Sequence, residues 1–179
     1  MSKYTKKWIV NGLTATRVIT TLLLPVLCTI MSATSFMLLV GAVLFTDFLD
    51  GHIARSRNLV TTFGKFMDPI ADKLLVNTLF IILTGMGVLH WIVPVIMIGR
   101  DIIVDAIRLI VVEQGKVIAA SKLGKLKTVT QMIALILLLA LPGVEFIVYF
   151  AYLAAIASLV SGVDYFIKNK NILLSDLRG

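Results

Sequence analysis

Apolar runs recur along the whole of this chain, at 12–32, 36–56, 68–88, 91–113, 127–141 and 144–167. A helix needs roughly 20 predominantly apolar residues to cross ~30 Å of hydrocarbon. Only helices and closed barrels satisfy their own backbone groups in lipid. A barrel would show short segments of alternating polarity, and none occur. The runs predict an all-α integral membrane protein with six transmembrane helices. Mean hydropathy is +0.99 and 59% of the residues are hydrophobic, as that class requires. The 179 residues leave room for one membrane domain, 1–179, and no separate soluble one.

Lysine and arginine set the orientation. The turns "MSATS", "TGMGVLH" and "LPGVE" carry neither. The N-terminus has Lys3, Lys6 and Lys7, the second turn Arg55, Arg57 and Lys65, the fourth turn Lys116, Lys122, Lys125 and Lys127, and the C-terminus Lys168, Lys170 and Arg178. This alternation places both termini and the 47–73 stretch on the cytosolic side. Trp8 and Trp91 fall at opposite interfaces. The start "SKYTKKWIV" reads as a short interfacial helix or as a frayed basic tail. No small-residue cleavage site follows the first run, so it reads as a retained helix. No internal repeat is visible, which counts against a transporter built from repeats.

The lone cysteine, Cys28, lies in the first apolar run and cannot form an internal disulfide. The net charge of +7 points to anionic headgroups or anionic substrates before nucleic acid.

The chain has ten acidic residues, and four of them fall in "DFLDGHIARSRNLVTTFGKFMDPIADK": Asp47, Asp50, Asp68 and Asp72. Asp47, Asp50 and Ala54 share one face of the second helix. Gly64, Asp68 and Asp72, spaced four apart, share one face of the third. A hairpin can turn these faces toward each other. Two carboxylates ~5 Å apart at an effective dielectric of ~20 repel by roughly 3 kcal/mol. The set must therefore be partly protonated or neutralised by cations. All-oxygen donors with no His or Cys cluster favour a hard divalent ion, Mg²⁺ or else Mn²⁺ or Ca²⁺, with enough ligands for two ions per site. Gly51, Gly64 and Ala54 leave room for a bulky ligand or for close helix packing. Arg55 offers a fork for phosphate. His52 sits on another face and reads as a surface histidine. A solvated loop explains the acids poorly, because Asp47 follows "MLLVGAVLFT" directly.

The spacing is Asp-x2-Asp-Gly-x2-Ala-Arg-x8-Gly-x3-Asp-x3-Asp, filled by Asp47, Asp50, Gly51, Ala54, Arg55, Gly64, Asp68 and Asp72. It resembles the signature of the CDP-alcohol phosphotransferase family at every fixed position. The resemblance implies a six-helix homodimeric enzyme in which an alcohol attacks a CDP-linked donor and CMP leaves. It implies that Asp47, Asp50, Asp68 and Asp72 hold Mg²⁺ or Mn²⁺, and that Asp72 is also the general base. Asp50, Gly51, Ala54, Arg55 and Gly64 would line the nucleotide site.

Two further stretches narrow the family. "NGLTATR", and "GRDIIVDAIR" with "SKLGKLKTVTQM", are similar to the bacterial phosphatidylglycerophosphate synthases. That similarity implies CDP-diacylglycerol as donor, sn-glycerol 3-phosphate as acceptor, and a bacterial plasma membrane with the active site facing the cytosol. The last two helices add little beyond hydrophobicity.

Several cations suit the acceptor's phosphate. Arg100 falls well inside the hydrocarbon, where a charge costs at least ~2.5 kcal/mol on insertion scales and needs a cavity or a partner. Arg108 lies eight residues on, roughly on the same face. With Asp101 and Asp105 the two arginines also read as an ion-pair ladder that orients the helix. Lys125 and Lys127 stand at a helix start, where backbone N–H groups favour an anion, although plain positive-inside topology also places lysines there. Arg17, with Thr14 one turn before it, completes the expected acceptor set. The rival readings are the same chemistry with inositol phosphate, serine or phosphatidylglycerol as acceptor, and a cation transporter.

Overall fold

The computed structural model describes the backbone of residues 3–56, 62–113 and 121–176, and the side chains of 12, 14–46, 64, 67–113 and 121–170. The described residues form six α-helices and one short 3-10 turn, with no strand among them. They fall into two compact units, 1–82 and 83–179.

The first unit contains α1 (Lys3–Ile30), α2 (Ala33–Ser56) and most of α3 (Thr62–Gly85). Its interior is aliphatic: Leu24, Val40, Ala71, Leu75 and Leu79 are all at most 1% exposed. Ser32 caps the start of α2, its hydroxyl accepting from the Ser35 N–H at 3.2 Å.

The second unit contains α4 (Ile92–Glu113), α5 (Lys122–Ala140), a 3-10 turn at Glu145–Ile147, and α6 (Val148–Asp176). Both α4 and α5 pack on α6. The buried side of α6 is made of small residues, with Ala151, Ala154, Ser158 and Ser161 fully enclosed. Small side chains let helix backbones approach closely. Val104, Ile107 and Val111 of α4 close around Tyr165.

The outward faces are apolar too. Leu126, Val129, Ile133 and Ile136 of α5, and Leu153, Ile156, Leu159, Val163 and Phe166 of α6, are all exposed. Such continuous surfaces suit hydrocarbon and not water. Lys122–Ala140 and Glu145–Lys170 are each long and apolar enough to cross a membrane.

Helix ends differ from the apolar runs for physical reasons. α1 continues unbroken from Lys3, so the basic start is not a separate short helix. Lysine is a good helix former, and Gly12 alone costs about 1 kcal/mol, too little to end a helix. α3 begins at Thr62, six residues before the apolar run at 68, and passes through Pro69. α5 begins at Lys122, five residues before its apolar run, because Ser121 caps it: the hydroxyl accepts from the Gly124 N–H at 2.9 Å. The turn after α3 closes on Gly87 at φ +75°, with the Val88 N–H donating to the Leu83 carbonyl and the Gly87 N–H to the Thr84 carbonyl, both at 3.0 Å. That is the pattern in which glycine takes the left-handed position after a helix.

Candidate active site

Asp68 and Asp72 lie one turn apart on α3, with Gly64 buried one turn before them. α1 supplies a donor to each. The Thr14 hydroxyl donates to Asp68 Oδ1 at 2.8 Å. Arg17 Nη1 donates to Asp72 Oδ1 at 2.9 Å. Three residues on α1 rise by about 4.5 Å and four on α3 by about 6 Å, so the two pairs form successive rungs.

The rungs differ in access. Thr14 is 3% exposed, and Asp68 is half-buried. The Arg17 side chain is 10% exposed, while that of Asp72 is 57% exposed. Arg17 therefore meets the requirement that an arginine inside an apolar helix find an acidic partner. Its carboxylate partner stays open to a substrate. Thr14 and Arg17 were both expected at the acceptor's phosphate; the structure sets them against the motif carboxylates.

The other half of the motif is carried by α2. Asp47, Asp50, Gly51, Ala54 and Arg55 all fall within Ala33–Ser56, and their side chains lie outside the described residues, as does that of His52. Among the described residues no three His, Cys, Asp or Glu side chains gather as a metal site. Asp68 and Asp72 nonetheless suit a hard divalent ion. They offer oxygen donors only, share a helix face, and each is held by a hydrogen bond from a neighbouring helix, as metal-binding carboxylates usually are.

The second unit holds a different cluster. Lys127 Nζ donates to both carboxylate oxygens of Asp101, at 2.8 and 2.9 Å. Arg100 Nη1 donates to Asp101 Oδ1 at 3.1 Å, and Arg100 Nη2 donates to Ser161 Oγ at 2.7 Å. The side chains of Lys127 and Asp101 are each 6% exposed and that of Arg100 10%. Two cations thus share one anion out of water. In this unit Arg100 Nε, Gln131 Nε2, Ser158 Oγ and Tyr165 Oη are buried with no hydrogen-bond partner among the described residues. Gly162 lets Arg100 lie where it does, since a Cβ at that position would stand 2.8 Å from Arg100 Cγ.

The expected acceptor cations therefore divide. Arg100 and Lys127 are enclosed with Asp101, whereas Arg108 and Lys125 are exposed. Arg100 and Arg108 do not share an environment, because eight residues of α4 carry one onto the packed face and the other off it. Asp101 appeared in the sequence only as part of a possible ladder along α4; its main partner is Lys127 of α5. Ser161 and Gly162 of α6 were not foreseen. The run of small residues at Ser158, Ser161 and Gly162 is the signal that marks a close helix contact there.

A model of the CDP-alcohol phosphatidyltransferase family matches residues 7–163, across both units. The chain is 46% identical over 102 residues to the CDP-diacylglycerol–glycerol-3-phosphate 3-phosphatidyltransferase of Bacillus subtilis, covering 54% of this chain and 53% of that protein. It is 41% identical over 104 residues to the protein of the same name in Mycoplasma genitalium, covering 55% and 44%. Its identity to the one in Rickettsia typhi is 44% over 100 residues, covering 53% and 56%. The matched segment spans about half the length of these curated relatives.

Proposed function

The chain belongs to the CDP-alcohol phosphatidyltransferase family, and from that premise we propose that it transfers the phosphatidyl group of CDP-diacylglycerol to sn-glycerol 3-phosphate, releasing CMP. The names of its relatives support this donor and acceptor. The observation that carries the reading is Asp72. It is the last carboxylate of the motif, it is exposed, and a buried arginine holds it in place.

Each residue then has a task. Asp47, Asp50, Asp68 and Asp72 would hold a divalent cation, Mg²⁺ or Mn²⁺ with two ions at full occupancy, which would supply the positive charge to neutralise the donor's diphosphate. The family is generally dependent on such a metal. Asp50, Gly51, Ala54, Arg55 and Gly64 accommodate the cytidine diphosphate. Thr14 fixes the rotamer of Asp68, and Arg17 that of Asp72. Asp72 accepts the proton of the 1-hydroxyl of glycerol 3-phosphate. A hydroxyl is a weak nucleophile near neutral pH, so a base within reach is needed. The hydroxyl oxygen bonds to the phosphorus carrying diacylglycerol. The bond from that phosphorus to the oxygen bridging to CMP breaks, and CMP leaves with the electron pair. Arg108 and Lys125 are exposed cations suited to the acceptor's phosphate, with Arg100 and Lys127 enclosed and paired to Asp101.

The same reading has six membrane spans in one family domain, both termini and the active site on the cytosolic side of a bacterial plasma membrane, and a homodimer. The lysine and arginine distribution supports the orientation.

The test is metal-dependent CMP release from CDP-diacylglycerol by the purified protein in detergent, with a panel of acceptors. Glycerol 3-phosphate should outperform inositol phosphate, serine, phosphatidylglycerol and glycerol. A preference for another member of the panel would move the assignment to that sister activity. No CMP release with any of them, from folded protein with Mg²⁺ and Mn²⁺, would reject the family chemistry.

A further inference from the structure

The second unit gathers most of its aromatic side chains at one end. Residues 92–145 and 153–164 contain no Phe, Trp or Tyr. Trp91 stands at the start of α4, and Phe146, Tyr149, Phe150 and Tyr152 stand in the 3-10 turn and the first turns of α6. α4 and α6 pack together and run in the same direction. Arg100 reaches Ser161, 61 residues on, and Val104 shares a buried cluster with Tyr165 at the same offset. That register puts Trp91 level with Tyr152, so both helix starts lie at one end of the unit. Trp91, Phe146 and Tyr149 are 59%, 62% and 68% exposed there.

The exposed indole is not on a free tether. His90 Nδ1 accepts from the Ile92 N–H at 3.3 Å, and the His90 ring lies beside that of Trp91 with centroids 5.2 Å apart. Single exposed apolar residues need no explanation, whereas large ones gathered in one place mark an interaction surface. Three features of the same unit say what covers it. The adjoining turns, 84–91 and 141–145, carry no Lys or Arg. Beyond the rings the exposed large side chains of α6 stay apolar, through Leu153, Ile156, Leu159, Val163 and Ile167. The first exposed charged residue along that face is Lys168, with 61% of its side chain open. The 19 steps from Tyr149 to Lys168 rise by about 28 Å, close to the ~30 Å of bilayer hydrocarbon. An indole N–H or phenol O–H lacks an acceptor in hydrocarbon. The ester and phosphate layer at its edge offers acceptors beside an apolar bed for the ring.

We propose that Trp91, Phe146 and Tyr149, backed by Phe150 and Tyr152, form a collar that docks on the ester and headgroup layer of a phospholipid bilayer and fixes the depth at which this unit sits. This rests on the membrane-spanning part of the reading above and is independent of the acceptor. The Trp91 N–H and the Tyr149 hydroxyl take lipid oxygens as acceptors, while the ring bodies and Phe146 cover the acyl chains just beneath. At the other end of α6, Lys168 and Lys170 are exposed and reach the opposite headgroup layer with their stems along hydrocarbon. The unit is held at its two ends by unlike groups, one set uncharged and aromatic, the other cationic.

The experiment uses the full chain with Trp8→Phe, which leaves Trp91 as the sole tryptophan in the sequence. The protein is reconstituted in vesicles of phosphatidylcholine and phosphatidylglycerol. The lipids carry bromine on the acyl chain near the headgroup, halfway down, or near the methyl end, and bromine quenches indole fluorescence on contact. The shallow bromines should quench Trp91 at least about twice as strongly as the deepest ones. Adding Phe146→Leu and Tyr149→Leu together should shift the quenching toward the deeper bromines, because the unit has lost two of its shallow anchors. If that pair does not fold, each single change decides by the same criterion. Strongest quenching by the deepest bromines would overturn the proposal. So would no quenching by any of them, the result expected if a second copy of the chain covers the collar. A depth profile unchanged by the leucine substitutions would also overturn it, since Trp91 would then sit at its depth without a collar. CMP release from the same vesicles keeps the two readings apart. Release with Trp91 unquenched removes the collar and leaves the function reading; shallow quenching without release does the reverse.

Discussion

Arg17 Nη1 lies 2.9 Å from Asp72 Oδ1, joining a 10% exposed arginine side chain on α1 to a 57% exposed aspartate side chain on α3. The pair ties a charge in an apolar helix to a carboxylate and fixes where that carboxylate points. It also separates two roles that the sequence alone allows for Arg17. A ligand of the acceptor's phosphate would affect KM for that substrate. A residue that aims the base would affect turnover.

Arg17→Met should therefore lower kcat by about 10²-fold while leaving KM for glycerol 3-phosphate within a few-fold. Arg17→Lys should retain more activity, since one N–H donor can still reach Asp72. Initial rates at varied glycerol 3-phosphate check this. A raised KM with unchanged kcat would return Arg17 to the acceptor's phosphate.

Thr14 bonds to Asp68 from a 3% exposed position. Thr14→Val keeps the shape and removes the hydroxyl. Losing a hydrogen bond that orients a metal-binding carboxylate weakens metal affinity by about 10- to 100-fold. Titration of the variant with Mn²⁺, followed by electron paramagnetic resonance of the free ion, measures this without any turnover. Affinity equal to wild type would show that Asp68 needs no support from α1, or binds no metal.

The positions of the motif residues were readable before their partners were. Four-residue spacing fixes Gly64, Asp68 and Asp72 on one helical face whatever the tertiary structure. Nothing local ties Thr14 to Asp68, 54 residues away, or Arg17 to Asp72, 55 residues away. Such pairs depend on how α1 packs against α3. Helix existence was likewise plain from the apolar runs, whereas helix starts were not. α3 and α5 both begin in polar sequence, at Thr62 and Lys122, and the cap at Ser121 marks the second start better than hydropathy does. α6 was the least legible. Its Ser161 and Gly162 matter because of Arg100 on α4, and the small residues that mark a close helix contact there do not say that the neighbour is a buried cation.

Ser121→Ala removes the side-chain acceptor at the start of α5. Loss of such a cap costs about 1 kcal/mol. The variant should melt a few degrees lower in detergent and keep its KM values within about twofold of wild type. A large loss of acceptor affinity with unchanged melting would instead assign Ser121 a direct binding role.

The proposed reaction gives Asp72 the proton transfer, and its exposure makes the last prediction sharp. Asp72→Asn keeps the size of the side chain and an oxygen that can still accept a hydrogen bond from Arg17. It removes the capacity to take a proton. General bases contribute typically 10²- to 10⁴-fold, so turnover should fall by about 10²-fold or more. Donor binding should persist, because Asp47, Asp50 and Asp68 remain available to the cation that holds the diphosphate. Asp68→Asn should behave differently, losing turnover, metal affinity and donor binding together. Equilibrium binding of CDP-diacylglycerol in the presence of Mg²⁺, measured for both variants beside CMP release, separates the two carboxylates. If Asp72→Asn loses donor binding as completely as Asp68→Asn does, Asp72 serves as a ligand and the base must be sought elsewhere. If it retains near-normal turnover, the reaction needs no base at this position, and the exposed carboxylate beside Arg17 has been assigned the wrong task.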